Sequence, residues 1–480
     1  MEHPQVLVVA VVDVEGDLER VGIVTTDANP QRGKDRVGVG PFHERDELAG
    51  LHGSSLRPAG HCSSVEGASP APSRRRGAGR PYTAPVRPRV LSGLDVLLAD
   101  PALLRGRRFA LLANQAAVTR QLESAWRALC RIGCRPVRLF APEHGLWGVA
   151  QDMEAVAHDA EPATGVPVLS LYGSGPETLA PPAEALEDVE ALVVDLPDIG
   201  CRYYTFAATM ALALEVCQRC GVEAIVCDRP NPLGGEELEG GPVAAGCRSF
   251  VSELPVPVRH GLTLGELALL VRAERLPDLA LTVVPCRGWR RSHLWEETGL
   301  PWVAPSPNMP TPLTARVYPG ACLVEATNLS EGRGTTRPFQ LIGAPWLDAE
   351  ALAAALERFG PPAFRFRPTR FRPEFGKHAG TVCHGVEWHV LDRRAAGVVA
   401  MGVRLLQQVR ALHPERFGWR EAPYEFVADV PAIDLLTGSD LARRAVVGEV
   451  AVSEVEEAWR RHCVEFRAER RRFLLYPERT

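Results

Sequence analysis

Lysine is nearly absent from this 480-residue chain: Lys34 and Lys377 are the two lysines among 54 basic residues. No apolar run approaches the roughly 20 residues that a membrane-spanning helix needs. The formal net charge is −5 with both signs interspersed, so there is no clustered basic face of the kind that binds nucleic acid. The composition therefore predicts neither a membrane span nor a nucleic acid partner.

Several cofactor and metal motifs are also missing. No glycine-rich GxGxxG follows the first apolar strand, and no P-loop, HExxH or GxSxG pattern occurs. Cys217 and Cys220 form one CxxC pair, but a zinc site needs a second pair at comparable spacing. We therefore predict no cofactor and no metal, and interpret the cysteines as free thiols in a reducing compartment.

The first 90 residues differ from the rest of the chain. They are rich in Gly, Pro, Ser and Arg, a composition that buries too little apolar surface to offset the entropy of ordering, so a disordered extension is predicted over 1–90. The start has no basic segment and no small-residue cleavage site. The sequence as given predicts a cytoplasmic protein, or an exported one if the start is misassigned.

From residue 91 onward, short apolar runs alternate with segments long enough for crossover helices. The runs are 109–113, 137–140, 191–194, 224–227 and 281–284. This alternation predicts a parallel sheet with helices on both faces, over 91–312. Thr263 and Glu266 have the spacing of a helix-capping box.

The remaining residues predict a second, smaller unit over 313–480. A proline-rich stretch, 301–312, is the expected link between the two units. The predicted elements of the second unit are a strand at 385–391, helices at 395–412 and 453–470, and an apolar C-terminal segment, 473–476, packed on the core.

Polar side chains follow the apolar runs of the first unit. They are Asn114, Glu143, His144, Asp195, Asp198, Arg202, Asp228, Arg229 and Asn231. Ligands of an open parallel sheet bind beyond the carboxyl ends of its strands, so this rim is the predicted site. Glu143, in Pro-Glu-His-Gly, is a candidate general acid if a partly apolar cleft raises its pKa, and Trp147 is a candidate wall. A glutamate in a solvated turn is the alternative.

Other segments supply further candidates. Arg202 can bind a carboxylate and Tyr204 can stack on a sugar, although the same segment also fits a helix start capped by Asp198. A predicted strand carrying Glu325 runs into a glycine-flanked loop with Asn328, Glu331 and Arg333. His260 and Asn308 lie in polar breaks. Lys377 either occupies a site that suits a compact ammonium group or survives by chance.

Taken in order, these motifs resemble one family, the NamZ exo-β-N-acetylmuramidases of glycoside hydrolase family 171. The matching segments are 142–145, 164–168, 170–173, 198–205, 228–232, 260–266, 307–311, 328–335 and 433–438. The resemblance runs from about Leu91 to the C-terminus. One departure is Trp147, where the family often has an arginine.

The resemblance implies a Rossmann-like lobe followed by a smaller α/β lobe, with the active site in the cleft between them. It implies exo-acting hydrolysis that releases N-acetylmuramic acid (MurNAc) from the non-reducing ends of muropeptides. It also implies Glu143 and Tyr204 as catalytic residues. The substrate-binding candidates are Asn114, His144, Asp198, Arg202, Asn231, His260, Asn308, Asn328, Glu331 and Arg333.

The sequence leaves the mechanism open. Glycosidases pair two carboxyl groups about 5–5.5 Å apart when retaining and about 6.5–9.5 Å apart when inverting. The second group here can be Asp195, Asp198, Glu331 or Tyr204, and Arg202 or Arg333 can bind the lactyl carboxylate of MurNAc. A non-catalytic muropeptide-binding protein and another small-molecule hydrolase are the alternative functions.

Overall fold

The computed structural model describes residues 90–359 and 363–478, together with two short strands near the start of the chain. The predicted extension covers residues 1–90. Apart from these two strands and residue 90, its residues lie outside the described part of the chain. In the described part, no helix is both long and apolar enough to span a bilayer.

A large, mainly parallel sheet forms the centre of the first half. Its strands are β1 (Leu7–Val8), β2 (Val24–Thr25), β3 (Phe109–Ala113), β4 (Arg138–Ala141), β5 (Asp159–Ala160), β6 (Pro167–Ser170), β7 (Ala191–Asp195), β8 (Glu223–Cys227) and β9 (Leu281–Val284). Seven strands run parallel in the order β1-β9-β8-β7-β3-β4-β6, and β2 and β5 add antiparallel edges. The predicted parallel sheet is confirmed. Strand order reverses between β3 and β7.

The two faces of this sheet are buried against different partners because side chains alternate along each strand. In β3, Phe109 and Leu111 point to the face that also packs Trp126, whereas Ala110 and Leu112 point to the opposite face. All five residues of β3 are buried. Burial on both faces is typical of a parallel sheet covered by two helical layers.

Eleven α-helices occur among the described residues. They are α1 (Gly93–Ala99), α2 (Ala125–Arg131), α3 (Phe206–Cys220), α4 (Leu264–Arg275), α5 (Trp295–Thr298), α6 (Pro312–Ala321), α7 (Ala349–Glu357), α8 (Val398–Leu412), α9 (Ala432–Thr437), α10 (Leu441–Val447) and α11 (Val452–Glu469). α4 begins with the predicted capping box: Thr263 and Glu266 exchange side-chain and backbone hydrogen bonds. The helices predicted at 395–412 and 453–470 are α8 and α11.

Crossover helices follow β3, β7 and β8, but no α-helix lies between β4 and β7, although the segment between the apolar runs 137–140 and 191–194 is long enough for one. Residues 142–166 instead form turns and the edge strand β5. Three glycines in this segment, Gly145, Gly148 and Gly165, adopt positive φ, which a helix cannot accommodate. The chain after β4 is therefore a loop, and this loop carries Glu143.

The second half contains a small antiparallel sheet, against which α6 and α7 pack, and α8 packs on these two helices. Its strands are β10 (Leu341–Ala344), β11 (Phe364–Phe371) and β12 (Cys383–Val390), in the order β10-β12-β11. One continuous apolar core joins this half to the α3–α4 face of the large sheet. The α/β fold class, with a parallel sheet and a smaller second sheet, is confirmed.

Two local predictions of the second half have different outcomes. The C-terminal segment packs on the core as predicted, and the Tyr476 hydroxyl donates to Asp228 at 2.6 Å. The predicted strand at Glu325 is wrong. Residues Cys322–Ala326 form a 3-10 turn that continues directly from α6. The backbone of this segment is therefore helical and does not pair with a strand.

The proline-rich stretch crosses the point where the strand order of the large sheet reverses. The Asn114 side chain, directly after β3, donates to the carbonyl of Pro305 at 2.8 Å, and Gln115 donates to Ala304 at 2.8 Å. Pro197 follows β7 and lines the same crevice as Trp302. Residues 301–305 therefore cover the position at which open parallel sheets usually bind a ligand.

Candidate active site

Glu143 projects from the loop that replaces the missing crossover helix. His144 and Gly145 both have positive φ (71° and 77°), so the chain turns sharply after the end of β4. The Glu143 side chain is 4% exposed, and its two oxygens accept hydrogen bonds from Thr205 Oγ1 at 2.7 Å and from the Met153 amide at 3.3 Å. Thr205 is the residue before α3, so the carboxyl also lies near the positive end of that helix.

A cavity surrounds this carboxyl and draws residues from both halves of the chain. Its empty volume, including the opening to solvent, is about 460 Å³. Its lining includes Glu143, His144, Asp152, Tyr204, Thr205, Ser306, Asn308, Tyr318, Glu325, Arg333, Phe339, Tyr424 and Glu425. The cavity thus combines acidic groups with aromatic walls, as a sugar site requires.

Arg333 forms ion pairs with three carboxylates beside the cavity. Its guanidinium lies 2.6 Å from Glu325, 3.0 Å from Asp152 and 3.4 Å from Glu331, and stacks over the ring of Phe339. Burial raises the pKa of Glu325, but Arg333 and the Tyr424 hydroxyl outweigh it and hold that pKa below its usual value. Glu325 is therefore a negatively charged residue with a structural role at this wall of the cavity.

Lys377 completes the same network from the other side. Its ammonium lies 3.1 Å from Glu331 and donates to the carbonyls of Val324 and Glu325 at 3.2 Å each. Three acceptors arranged around one nitrogen suit a compact ammonium group better than a planar guanidinium. Lys377 thus fixes the backbone behind the cavity, and Glu331 contacts the cations without lining the cavity.

Glu425 is a buried carboxyl of the cavity that the sequence analysis missed. It is 6% exposed and accepts a hydrogen bond from the Tyr172 hydroxyl at 3.0 Å. Burial, followed by the negative charge of Glu143, raises the pKa of Glu425 well above its usual value. Glu425 follows no apolar strand and no glycine flanks it, so no local pattern in the sequence identifies it.

Tyr204 lines the cavity as expected of a catalytic candidate. Its hydroxyl is buried near Ser306 but makes no hydrogen bond of standard geometry with any described residue. Burial raises the pKa of Tyr204, so the hydroxyl keeps its proton. The group is therefore an available donor. Trp147 is not a wall: it is 46% exposed and packs edge-on against Trp126.

His144 and Asn308 also line the cavity, on the side of the large sheet. His144 Nδ1 contacts the carbonyl of Ala150 at 3.0 Å, which leaves its other ring nitrogen for a ligand. The Asn308 amide donates to Gln151 at 2.8 Å. The first contact lies within the loop that carries Glu143, and the second ties Asn308 to that loop.

Four of the predicted binding residues instead hold the backbone together. Asn114 donates to Pro305, as described above. The Arg202 guanidinium donates to three buried carbonyls, Asn231 donates to Leu262 at 2.8 Å, and Asn328 donates to Arg416 at 2.8 Å. None of these four side chains lines the cavity, because each polar group is already bonded to a carbonyl oxygen.

Asp198 and His260 form a separate pair near the crevice covered by residues 301–305. Asp198 Oδ2 accepts the Gly200 amide at 2.7 Å and lies 3.3 Å from His260 Nε2. His260 Nδ1 accepts the Leu262 amide at 3.1 Å. Asp198 therefore closes its own turn and does not cap α3, which begins after Thr205.

Asp195 is engaged in a structural ion pair and is not a second catalytic carboxyl. Arg229 binds both of its oxygens, at 2.6 and 2.8 Å, and all these groups are buried. Among the described residues, no cluster of three or more His, Cys, Asp or Glu side chains is arranged to hold a metal ion.

Comparisons with known proteins match nearly the whole described chain. The family models for exo-beta-N-acetylmuramidase NamZ match its N-terminal domain to residues 109–313 and its C-terminal domain to residues 316–476. The peptidoglycan beta-N-acetylmuramidase NamZ of Bacillus subtilis (strain 168) is 39% identical over 392 residues, which is 81% of this chain and 92% of that relative.

Two crystal structures of DUF1343 family proteins from Bacteroides fragilis NCTC 9343 have a similar fold. One is 34% identical with a TM-score of 0.74, and the other is 27% identical with a TM-score of 0.62. Each comparison covers 81% of this chain and 99% of the other.

Proposed function

The chain belongs to the exo-β-N-acetylmuramidase NamZ family, and from this premise we propose that it releases MurNAc from the non-reducing ends of peptidoglycan fragments, with Glu143 as a catalytic carboxyl. The relative from Bacillus subtilis bears the name of a peptidoglycan beta-N-acetylmuramidase. The observation that carries the proposal is the buried Glu143 carboxyl, oriented by Thr205 and Met153 at the wall of a cavity lined by acidic and aromatic side chains.

The cavity supplies the groups that glycoside hydrolysis needs. A carboxyl beside the anomeric carbon stabilises the positive charge that develops when the glycosidic bond breaks. Tyr204 and Tyr318 offer aromatic surface to the sugar ring, and the unbonded Tyr204 hydroxyl can donate to a sugar oxygen. His144 and Asn308 are the proposed polar contacts on the opposite wall.

Arg333 is the proposed partner of the lactyl carboxylate that distinguishes MurNAc from N-acetylglucosamine. Of its carboxylate partners, Asp152 is the most exposed, at 35% of its side chain, and lies on the loop after β4. A substrate carboxylate can replace Asp152 without leaving a buried charge unpaired, because Asp152 can turn to water. Arg202 is excluded from this role by its three carbonyl partners.

The proposal is tested with a chromogenic β-MurNAc glycoside and with the disaccharide MurNAc-GlcNAc. We expect the wild type to release MurNAc from both. Glu143→Gln keeps the size of the side chain and removes its charge, and it should lower kcat by about 10²–10⁴-fold. The matched control is Glu184→Gln, an exposed glutamate outside the cavity, which should keep full activity.

No release by the wild type, or equal release by Glu143→Gln, would contradict the proposal. Tight binding of MurNAc-GlcNAc without release would indicate a muropeptide-binding protein instead. The contacts of Trp147 give that alternative no support, since this departure from the family lies outside the cavity. Release from other glycosides alone would indicate a different hydrolase on the same fold.

A further inference from the structure

Strained backbone is concentrated around the cavity. Among the described residues, seven non-glycine residues have positive φ, a conformation that costs roughly 1–3 kcal/mol when it falls in a sparsely populated region. Three of them, His144, Phe339 and Glu425, line the cavity, and Met153 and Phe426 directly follow lining residues. The strained residues therefore lie on both sides of the cavity, next to Glu143 and at Glu425 itself.

The surroundings of Glu143 and Glu425 differ in a way that separates their roles. Glu143 accepts two hydrogen bonds, from an amide N–H and from a hydroxyl, and lies near the N-terminus of α3. Glu425 accepts one hydrogen bond, from Tyr172, and faces other acidic groups. Those groups are Glu143 and Asp152 from the loop after β4 and Glu325 from the turn after α6.

Charge and burial both favour a proton on Glu425. Burial raises the pKa of Glu425 first, the negative charge of Glu143 raises it further, and the Tyr172 hydroxyl lowers it only in part. Two carboxyls with opposite environments in one cavity is the arrangement by which glycosidases hold one acid and one anion. Glu143 was the acid predicted from the sequence, and no local pattern in the sequence identifies Glu425.

We infer that Glu425 is the general acid that protonates the glycosidic oxygen, while Glu143 acts as the anion beside the anomeric carbon. This inference rests on the proposed function. The bond from the anomeric carbon to the glycosidic oxygen breaks, its electron pair stays on that oxygen, and the oxygen takes the Glu425 proton. Glu143 balances the positive charge on the sugar. Water then adds to the anomeric carbon, and its surplus proton returns to Glu425.

The test compares two leaving groups. A dinitrophenyl β-MurNAc glycoside departs without protonation, whereas the GlcNAc of MurNAc-GlcNAc needs a proton. Glu425→Gln should therefore lose about 10²–10⁴-fold in kcat/KM on the disaccharide but less than about tenfold on the dinitrophenyl glycoside. Glu143→Gln should lose activity on both. Glu421→Gln, an exposed glutamate four residues earlier, is the matched control.

Equal losses of Glu425→Gln on both substrates would overturn the inference while leaving the proposed function intact. A wild type inactive on both would overturn the proposed function. Infrared spectroscopy gives an independent readout, because the protonated-carboxyl absorption at pH 7 should be weaker in Glu425→Gln than in the wild type. Equal absorption in the two proteins would also overturn the inference.

If Glu425→Gln fails to fold, Tyr172→Phe replaces it. This change keeps the aromatic ring and removes the hydroxyl that lowers the pKa of Glu425. The alkaline limb of the pH profile on MurNAc-GlcNAc should then move to higher pH. A limb that does not move would refute the assignment of Glu425 as the acid.

Discussion

Replacing Arg202 with methionine tests whether this residue supports the fold or binds the substrate. The guanidinium is 2% exposed and donates to three backbone carbonyls at 2.8, 2.8 and 2.9 Å, those of Gly241, Val256 and Leu436. Hydrogen bonds from a charged donor contribute about 1.5–3 kcal/mol each, or roughly 4–9 kcal/mol for three. Burial lowers the pKa of Arg202 to about 10. The cost of burying this charge therefore offsets roughly 3 kcal/mol of the stabilisation from the three hydrogen bonds.

The difference between these contributions sets the expected result. Arg202→Met should lower the free energy of unfolding by about 1–6 kcal/mol, measured by urea denaturation. KM for the chromogenic MurNAc glycoside should stay within about twofold of the wild type under conditions in which the variant is folded. The control is Arg105→Met, an exposed arginine for which we expect no change in either quantity. Unchanged stability together with a raised KM would refute the structural role.

Three further predictions concern the cavity. Thr205→Val removes the hydroxyl that donates a hydrogen bond to Glu143 at 2.7 Å, so steady-state kcat should fall about tenfold or more. An unchanged kcat would show that this hydrogen bond does not orient the carboxyl. Asp152→Asn frees part of the charge of Arg333, so KM for the MurNAc glycoside should fall about two- to fivefold while hydrolysis of a GlcNAc glycoside stays unchanged. The raised pKa of Glu425 means that the folded protein keeps a proton that the unfolded chain releases above about pH 4. The stability of the wild type relative to Glu425→Gln should therefore fall as pH rises from about 4 to the folded pKa, and a flat difference in urea denaturation would contradict this.

The sheet was predictable because its signal is local. Each strand of the parallel core is a short apolar run, and the polar residue that follows it lies at the same edge of the sheet. Glu143 could be found in this way, since it lies two residues after the end of β4. The family resemblance also ordered the segments correctly along the chain, and the family match confirms it.

The remaining parts of the site depend on contacts between distant segments. Glu425 reaches Glu143 only because the segment after α8 packs against the loop after β4, and no local periodicity encodes that approach. Arg202 and Asn231 carry the same polar groups as binding residues, but their carbonyl partners come from elsewhere in the chain. A sequence shows which donors exist and leaves open which acceptors will meet them.

The segment 301–305 also has a consequence for inhibition. A compound that binds the crevice between β3 and β7 must displace residues 301–305, which the chain tethers in place on both sides. Once it displaces that segment, it breaks the contacts of Asn114 and Gln115 with the backbone. Ser306 and Asn308 follow immediately along the chain and line the cavity. An apolar molecule bound in this crevice would therefore distort the cavity through Ser306 and Asn308, and it would not need to resemble a sugar.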